Sequence, residues 1–228
     1  MSQVILASSS PRRRELLNTI IAEFDSFSPD VDESTDDLIS PYEVSGLLAV
    51  RKARTAVAAE ISFDYLIASD TVVISEGEIL GKPDDRLHAR KMLTGLRNKT
   101  HEVSTSVAVV SVESGTTELA ISLVTNLSRV TMRPYSDSEV SSFLDRGEAD
   151  DKAGAYAIQD LEFHPVSDCE GCICAVMGLP VQDVVLQLTL VGFDGASILT
   201  PNRLYDRCKN CLRGDLIIEP CNLSDISF

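Results

Sequence analysis

The sequence predicts an α/β protein, and three observations carry that expectation. A short apolar run, Val4–Ala7, is followed at once by a helix start, with Ser10 suited to the N-cap and Pro11 to the first helical position. Two apolar runs, Leu66–Ala68 and Val72–Ile74, enclose Ser69, Asp70 and Thr71. Two long alternating stretches, Val103–Val112 and Leu119–Met132, flank Glu113-Ser114-Gly115 as the arms of a hairpin. At 228 residues the chain has length for one large domain or a bilobal one with an ample core.

Taken in order, Val4–Ala7 reads as a buried strand and the helix after it as running to about Ile21. Its first turn holds Arg12, Arg13 and Arg14. Cations there oppose the helix dipole, which favours anions at that end. Two readings stand: three solvated arginines, or a cradle in which serine turn, helix N-terminus and Arg forks take phosphate oxygens. The cradle is the favoured one. Phe24–Ser28 is a further strand, and Pro29–Asp37 an acidic loop that is either a solvated connector or, through Glu33, a ligand for Mg²⁺ beside substrate phosphates. Pro41–Glu60 reads as a long helix bearing Val44, Leu47, Leu48, Val50 and Val57, with Lys52 free to point into a site.

Leu66–Pro83 is the stretch around which the rest is organised. Leu66–Ala68 reads as a strand end, and a carboxylate between β-branched runs needs a partner or a task. Asp70 either caps a turn or an exposed edge, or shares one sheet end with Lys82 as part of a metal-phosphate site. The Gly77–Lys82 segment is no Walker loop: three residues separate Gly77 from Gly81, and Pro83 stands where Ser or Thr should be. Asp84–Leu96 is expected to be a helix with Leu87, Met92, Leu93 and Leu96 as its apolar face. Ser136 and Glu139 form a capping box for a short helix that Gly147 ends. Gly178-Leu179-Pro180 opens a last helix with Val181, Val184, Val185 and Leu188 in helical spacing. The pattern weakens beyond Gly192, so residues 1–192 are expected to form the body and 193–228 a cysteine-containing extension.

The net charge of −15 argues against nucleic acid or an anionic membrane as main partner, and makes the Arg12–Arg14 cluster more telling. No run approaches the roughly 18 apolar residues of a membrane span. The basic residues follow the first apolar stretch, the reverse of a secretory signal, so a cytoplasmic setting is expected. Cys169/Cys172 and Cys208/Cys211 are two C-x₂-C pairs. They are compatible with a structural zinc, with buried or redox thiols, or with disulfides. His88, His101 and His164 stand apart and are expected to be structural.

Together, Ser8–Leu16, Asp30–Glu33, Arg51–Ala53, Ala68–Val73, Gly81–Pro83 and Asp151–Gln159, in that order, resemble the Maf family of nucleoside triphosphate pyrophosphatases. The likeness covers about residues 3–190. It implies a twisted mixed β-sheet flanked by helices, bilobal with a central nucleotide cleft. It implies hydrolysis of a nucleoside triphosphate to monophosphate and pyrophosphate with Mg²⁺ or Mn²⁺, and suggests a homodimer. Asp70 matches the proton acceptor, Ser8, Arg13, Lys52 and Lys82 the phosphate-binding positions, and Glu33 an acid near the metal. Arg12, Thr71 and Gln159 match the branch acting on dTTP and UTP, modified pyrimidine nucleotides included. This chain departs from the family at Cys172-Ile173-Cys174-Ala175, where Ser-Tyr-Ser-Asn is usual, and in its extension. A non-catalytic nucleotide-binding regulator of cell division is the competing expectation.

Overall fold

The computed structural model describes residues 2–36, 38–112, 119–199 and 215–217. The expected α/β architecture is present: a mixed sheet in the order β2-β1-β3-β5-β6-β7, with β4 added to β3 and β8 to β6. β1 (Val4–Ala7) runs parallel to both β2 (Asp25–Phe27) and β3 (Tyr65–Ser75), so its connections must cross over. α1 (Pro11–Asn18) makes the first crossover and α2 (Pro41–Ala58) the second. β5 (Thr100–Val112) and β6 (Leu119–Met132) form a long antiparallel pair, whose connecting turn, including Glu113-Ser114-Gly115, lies outside the described residues.

Strand periodicity sorts the core into two faces. Val4 and Leu6 of β1 and Ile67 of β3 pack against α1, α5 (Ile173–Met177) and α6 (Val181–Leu190). Ile5, Ala7, Leu66 and Ala68, one residue out of phase, pack against the alanines and Val50 of α2. Farther along the sheet, Val73, Val103 and Val130 meet α3 (Arg86–Leu96) and α4 (Asp137–Asp145). β7 (Val166–Glu170) and β8 (Asp215–Ile217) both pair with β6. Among the described residues, no helix is long and apolar enough to cross a membrane.

Several boundaries differ from expectation. α1 stops at Asn18 rather than near Ile21, because the Thr19 N–H and hydroxyl both donate to the Leu16 carbonyl and release the chain. Ile20 and Ile21 enter the core outside the helix. α2 ends at Ala58, and α3 begins at Arg86 because Asp85 is its cap, accepting from the His88 N–H at 2.7 Å. Leu87 is 60% exposed and lies off the apolar face it was assigned to. The capping box at Ser136 and Glu139 is present as read.

The Leu66–Ile74 region is one continuous strand, not two runs divided at Asp70. β3 pairs with β5 from Tyr65 to Ile74, yet on its other edge β1 covers only Tyr65–Ala68 and β4 (Glu78–Leu80) only Val73–Ser75. Residues 69–72 therefore face an opening in the sheet, beyond the carboxyl end of β1. Open α/β sheets place ligands at such strand ends.

Candidate active site

The alternation of β3 decides which wall each functional residue meets. Asp70 is in phase with Leu66, Ala68, Val72 and Ile74, so it points toward α2. There Lys52 donates to Asp70 Oδ1 at 2.5 Å and reaches Glu33 Oε1 at 2.8 Å. Asp70 is only 6% exposed. Burial raises its pKa above the usual carboxylate value, and outweighs the opposing pull of Lys52 and Arg13. Burial also raises Glu33, but the hydrogen bond and charge of Lys52, with Lys82 and Arg13, leave its pKa lowered overall. The pair thus holds two carboxylates with opposite shifts on one ammonium.

Ser69 and Thr71 point to the other face, toward α1 and α5. The Arg13 guanidinium is held there on three sides: Nε donates to the Gly178 carbonyl at 2.9 Å, and the two terminal nitrogens to Ser8 Oγ at 3.2 Å and Thr71 Oγ1 at 3.5 Å. Ser69 Oγ donates to the same Gly178 carbonyl at 2.9 Å. Burial lowers the pKa of Arg13, with the Asp70 charge opposing. The α1 start behaves as its sequence indicated: Ser10 Oγ accepts from the Arg13 N–H at 3.4 Å, with Pro11 in the first turn. Gly178, at φ 114°, closes α5, and a Cβ there would stand 3.4 Å from Arg13 Nε.

These groups line one cleft of about 480 Å³. Ser8, Arg12, Arg13, Glu33, Lys52, Asp70, Thr71, Lys82 and Gln159 all contribute to its wall, so every residue singled out for substrate, base or Mg²⁺ is brought to one place. The Gly81 carbonyl accepts from the Gly154 N–H at 3.0 Å, which ties the Lys82 turn to the segment carrying Gln159. Sequence reasoning assigned no individual site role to Ser69, Thr105, Asp151 or Lys152, and read Gly178 as part of the opening of the last helix, whereas it closes α5 and α6 starts at Val181. Thr105, fully buried on β5, donates to the Ala175 carbonyl at 2.7 Å, and its Oγ1 lies 3.0 Å from Thr71 Oγ1. The strand register that pairs Thr71 with Thr105 is the signal that was not legible.

The residues fit a hard divalent cation. Mg²⁺ takes one or two protein carboxylates and completes its shell with water and phosphate oxygens. Glu33 and Asp70 already converge on one cation, the Lys52 ammonium, and Glu33 is half-exposed with oxygen lone pairs to spare. The cysteines are placed differently. Cys169 sits on β7, half-buried, and buried Cys172 caps α5, its Sγ accepting from the Ala175 N–H at 3.4 Å. Cys174 belongs to the core beneath α1 and α6. Cys208 and Cys211 lie outside the described residues. Among the described residues, no group of three or more His, Cys, Asp or Glu is placed to hold a metal.

Comparison with known proteins adds independent findings. The family described as Maf-like protein matches residues 3–191. A dTTP/UTP pyrophosphatase of Dehalococcoides mccartyi (strain BAV1) is 38% identical over 194 residues, 85% of this chain and 84% of its own. One from Symbiobacterium thermophilum is 40% identical over 193 residues, covering 85% and 96%. A third, from Thermomicrobium roseum, is 38% identical over 216 residues, 91% of this chain and 92% of its own.

Proposed function

The chain belongs to the Maf-like protein family, and from that premise we propose that it hydrolyses nucleoside triphosphates to the monophosphate and pyrophosphate, with dTTP and UTP as the preferred class. The observation that carries this reading is the buried Asp70 at the opening of the sheet, with Lys52 and Arg13 about it. A carboxylate whose pKa is raised is a stronger proton acceptor than an ordinary one.

In this reading Asp70 takes a proton from the water that attacks the α-phosphorus. The bond from that phosphorus to the bridging oxygen breaks, and pyrophosphate leaves. Ser8, Arg13, Lys52 and Lys82 bind the phosphates and spread the charge that develops on their oxygens, which is most of what phosphoryl-type transfer requires of a protein. Arg12, Thr71 and Gln159, all on the wall of the same cleft, stand at the positions that mark the preference for dTTP and UTP. Glu33 would hold Mg²⁺ or Mn²⁺, whose chemistry there is to neutralise phosphate charge.

With its acidic surface, the protein acts on free nucleotides in the cytoplasm rather than on nucleic acid, and as a homodimer, which sedimentation would check. A structural zinc on Cys169, Cys172, Cys208 and Cys211 is proposed from their two C-x₂-C spacings, and metal content after chelator-free purification tests it. The function itself is tested by pyrophosphate release from a nucleotide panel with Mg²⁺ or Mn²⁺, wild type beside Asp70→Asn. Release from dTTP and UTP, lost in the variant with binding kept, is expected. Tight binding without release from any nucleotide would replace the enzyme with a non-catalytic regulator.

A further inference from the structure

Asp151 stands between two cations that reach the cleft from distant parts of the chain. Arg12, in the first turn of α1, donates to its Oδ2 at 3.3 Å, and Lys152 donates to its Oδ1 at 2.6 Å. The Lys152 ammonium also donates to the Glu148 carbonyl at 2.5 Å, with the Glu148 carboxylate 3.5 Å away. The cations and anions differ in exposure. The Lys152 side chain is 9% exposed and that of Arg12 23%, while the Asp151 and Glu148 carboxylates are more than half exposed. Two positive groups are thus fixed in the wall, bridged by a carboxylate that has solvent on its other side.

We propose that Arg12 and Lys152 form a second anion-binding subsite, for phosphate oxygens of the nucleotide or of pyrophosphate, and that the Asp151 carboxylate fills this subsite until they arrive. The inference rests on the nucleotide reading given above. Exchanging a carboxylate for a phosphate group keeps both cations paired, and the incoming group brings more charge and more acceptor oxygens. The pairs being displaced are open to solvent on the carboxylate side, which places them among the weak ones. Asp151 competes throughout the neutral range because it stays ionised. Burial raises its pKa, but Lys152 and Arg12 together reverse this and lower it.

The test is calorimetric binding of inorganic pyrophosphate to the full chain, in wild type, Asp151→Asn, Arg12→Ala and the double variant. Asp151→Asn should bind pyrophosphate about 3- to 10-fold more tightly than wild type, as expected for removing a competing partner from a half-exposed pair. That gain should vanish in the Arg12→Ala background. Lys152→Met should bind more weakly than wild type. Unchanged or weaker binding by Asp151→Asn would overturn the proposal, since the carboxylate would then position the cations rather than compete for them. An equal gain in both Arg12 backgrounds would overturn it as well. The binding needs no turnover, so a chain that releases no pyrophosphate from any nucleotide would sink the enzymatic reading separately.

Discussion

At the scale of single residues, Asp70 is held in an environment that opposes its own ionisation. Its raised pKa means that the folded state favours protonation more than the unfolded chain does. The associated stability is complete below the unfolded pKa and is lost as pH rises through the folded one. At neutral pH, Asp70→Asn should therefore melt at or above the wild-type temperature while losing turnover; a clearly lower melting temperature would contradict this account. The same shift sets the acidic limb of kcat/KM, which should lie above the ordinary carboxylate range. Lys52→Ala removes the nearest cation from Asp70 and Glu33 alike, so that limb should move to still higher pH, as a pH–rate profile would show. A limb that stays in place would mean that Asp70 is not the titrating base. Residues of this kind were legible in sequence because they break defaults: a carboxylate between β-branched runs, and arginines where a helix prefers anions. Asp151 was not legible as a partner of Arg12, since 139 positions separate them and only the fold closes that distance.

At the scale of elements, the site is an interruption in pairing. β1 stops at Ala68 of β3 and β4 starts at Val73, and of the four positions between them Asp70, Thr71 and Val72 line the cleft. Sequence reading took Asp70 as a break in the strand because a charge inside a sheet is costly. What offsets part of that cost is Lys52, one element earlier, and the strand continues through Asp70. The α1 cap and the α4 capping box were legible because their hydrogen bonds are local. Gly178 shows the converse. Its positive φ ends α5 and its carbonyl aims Arg13, so Gly178→Ala is strained and crowds the guanidinium. The expected result is a loss of more than about 1 kcal/mol of stability together with a fall in kcat/KM. Leu93→Ala, in fully buried packing under α3, should instead cost about 2–5 kcal/mol and leave kcat/KM near wild type, as denaturation and steady-state kinetics would show. Equal kinetic loss in both variants would mean that Gly178 acts through stability alone.

At the scale of the whole molecule, the question is where the packed body ends. Helical spacing fades after Leu188 in the sequence, which is why Gly192 reads as a boundary. Packing, however, follows contact and not periodicity. Phe193 is 7% exposed, and its ring meets the Tyr65 ring edge-on at 5.1 Å, at the start of β3. Ile198 bridges Ile21, and the Leu199 N–H donates to the Ile20 carbonyl at 2.8 Å. These contacts fasten the residues after α6 onto the turn that follows α1, and α1 carries Arg12 and Arg13. Truncation after Gly192 should thus remove at least the burial of Phe193, a loss of about 3–5 kcal/mol by analogy with large-to-small core changes. The effect should reach the cleft through the α1 end, raising KM for nucleotide more than it lowers kcat. A chain cut after Gly192 that kept wild-type urea stability and KM would show that Phe193 and Ile198 pack without supporting α1.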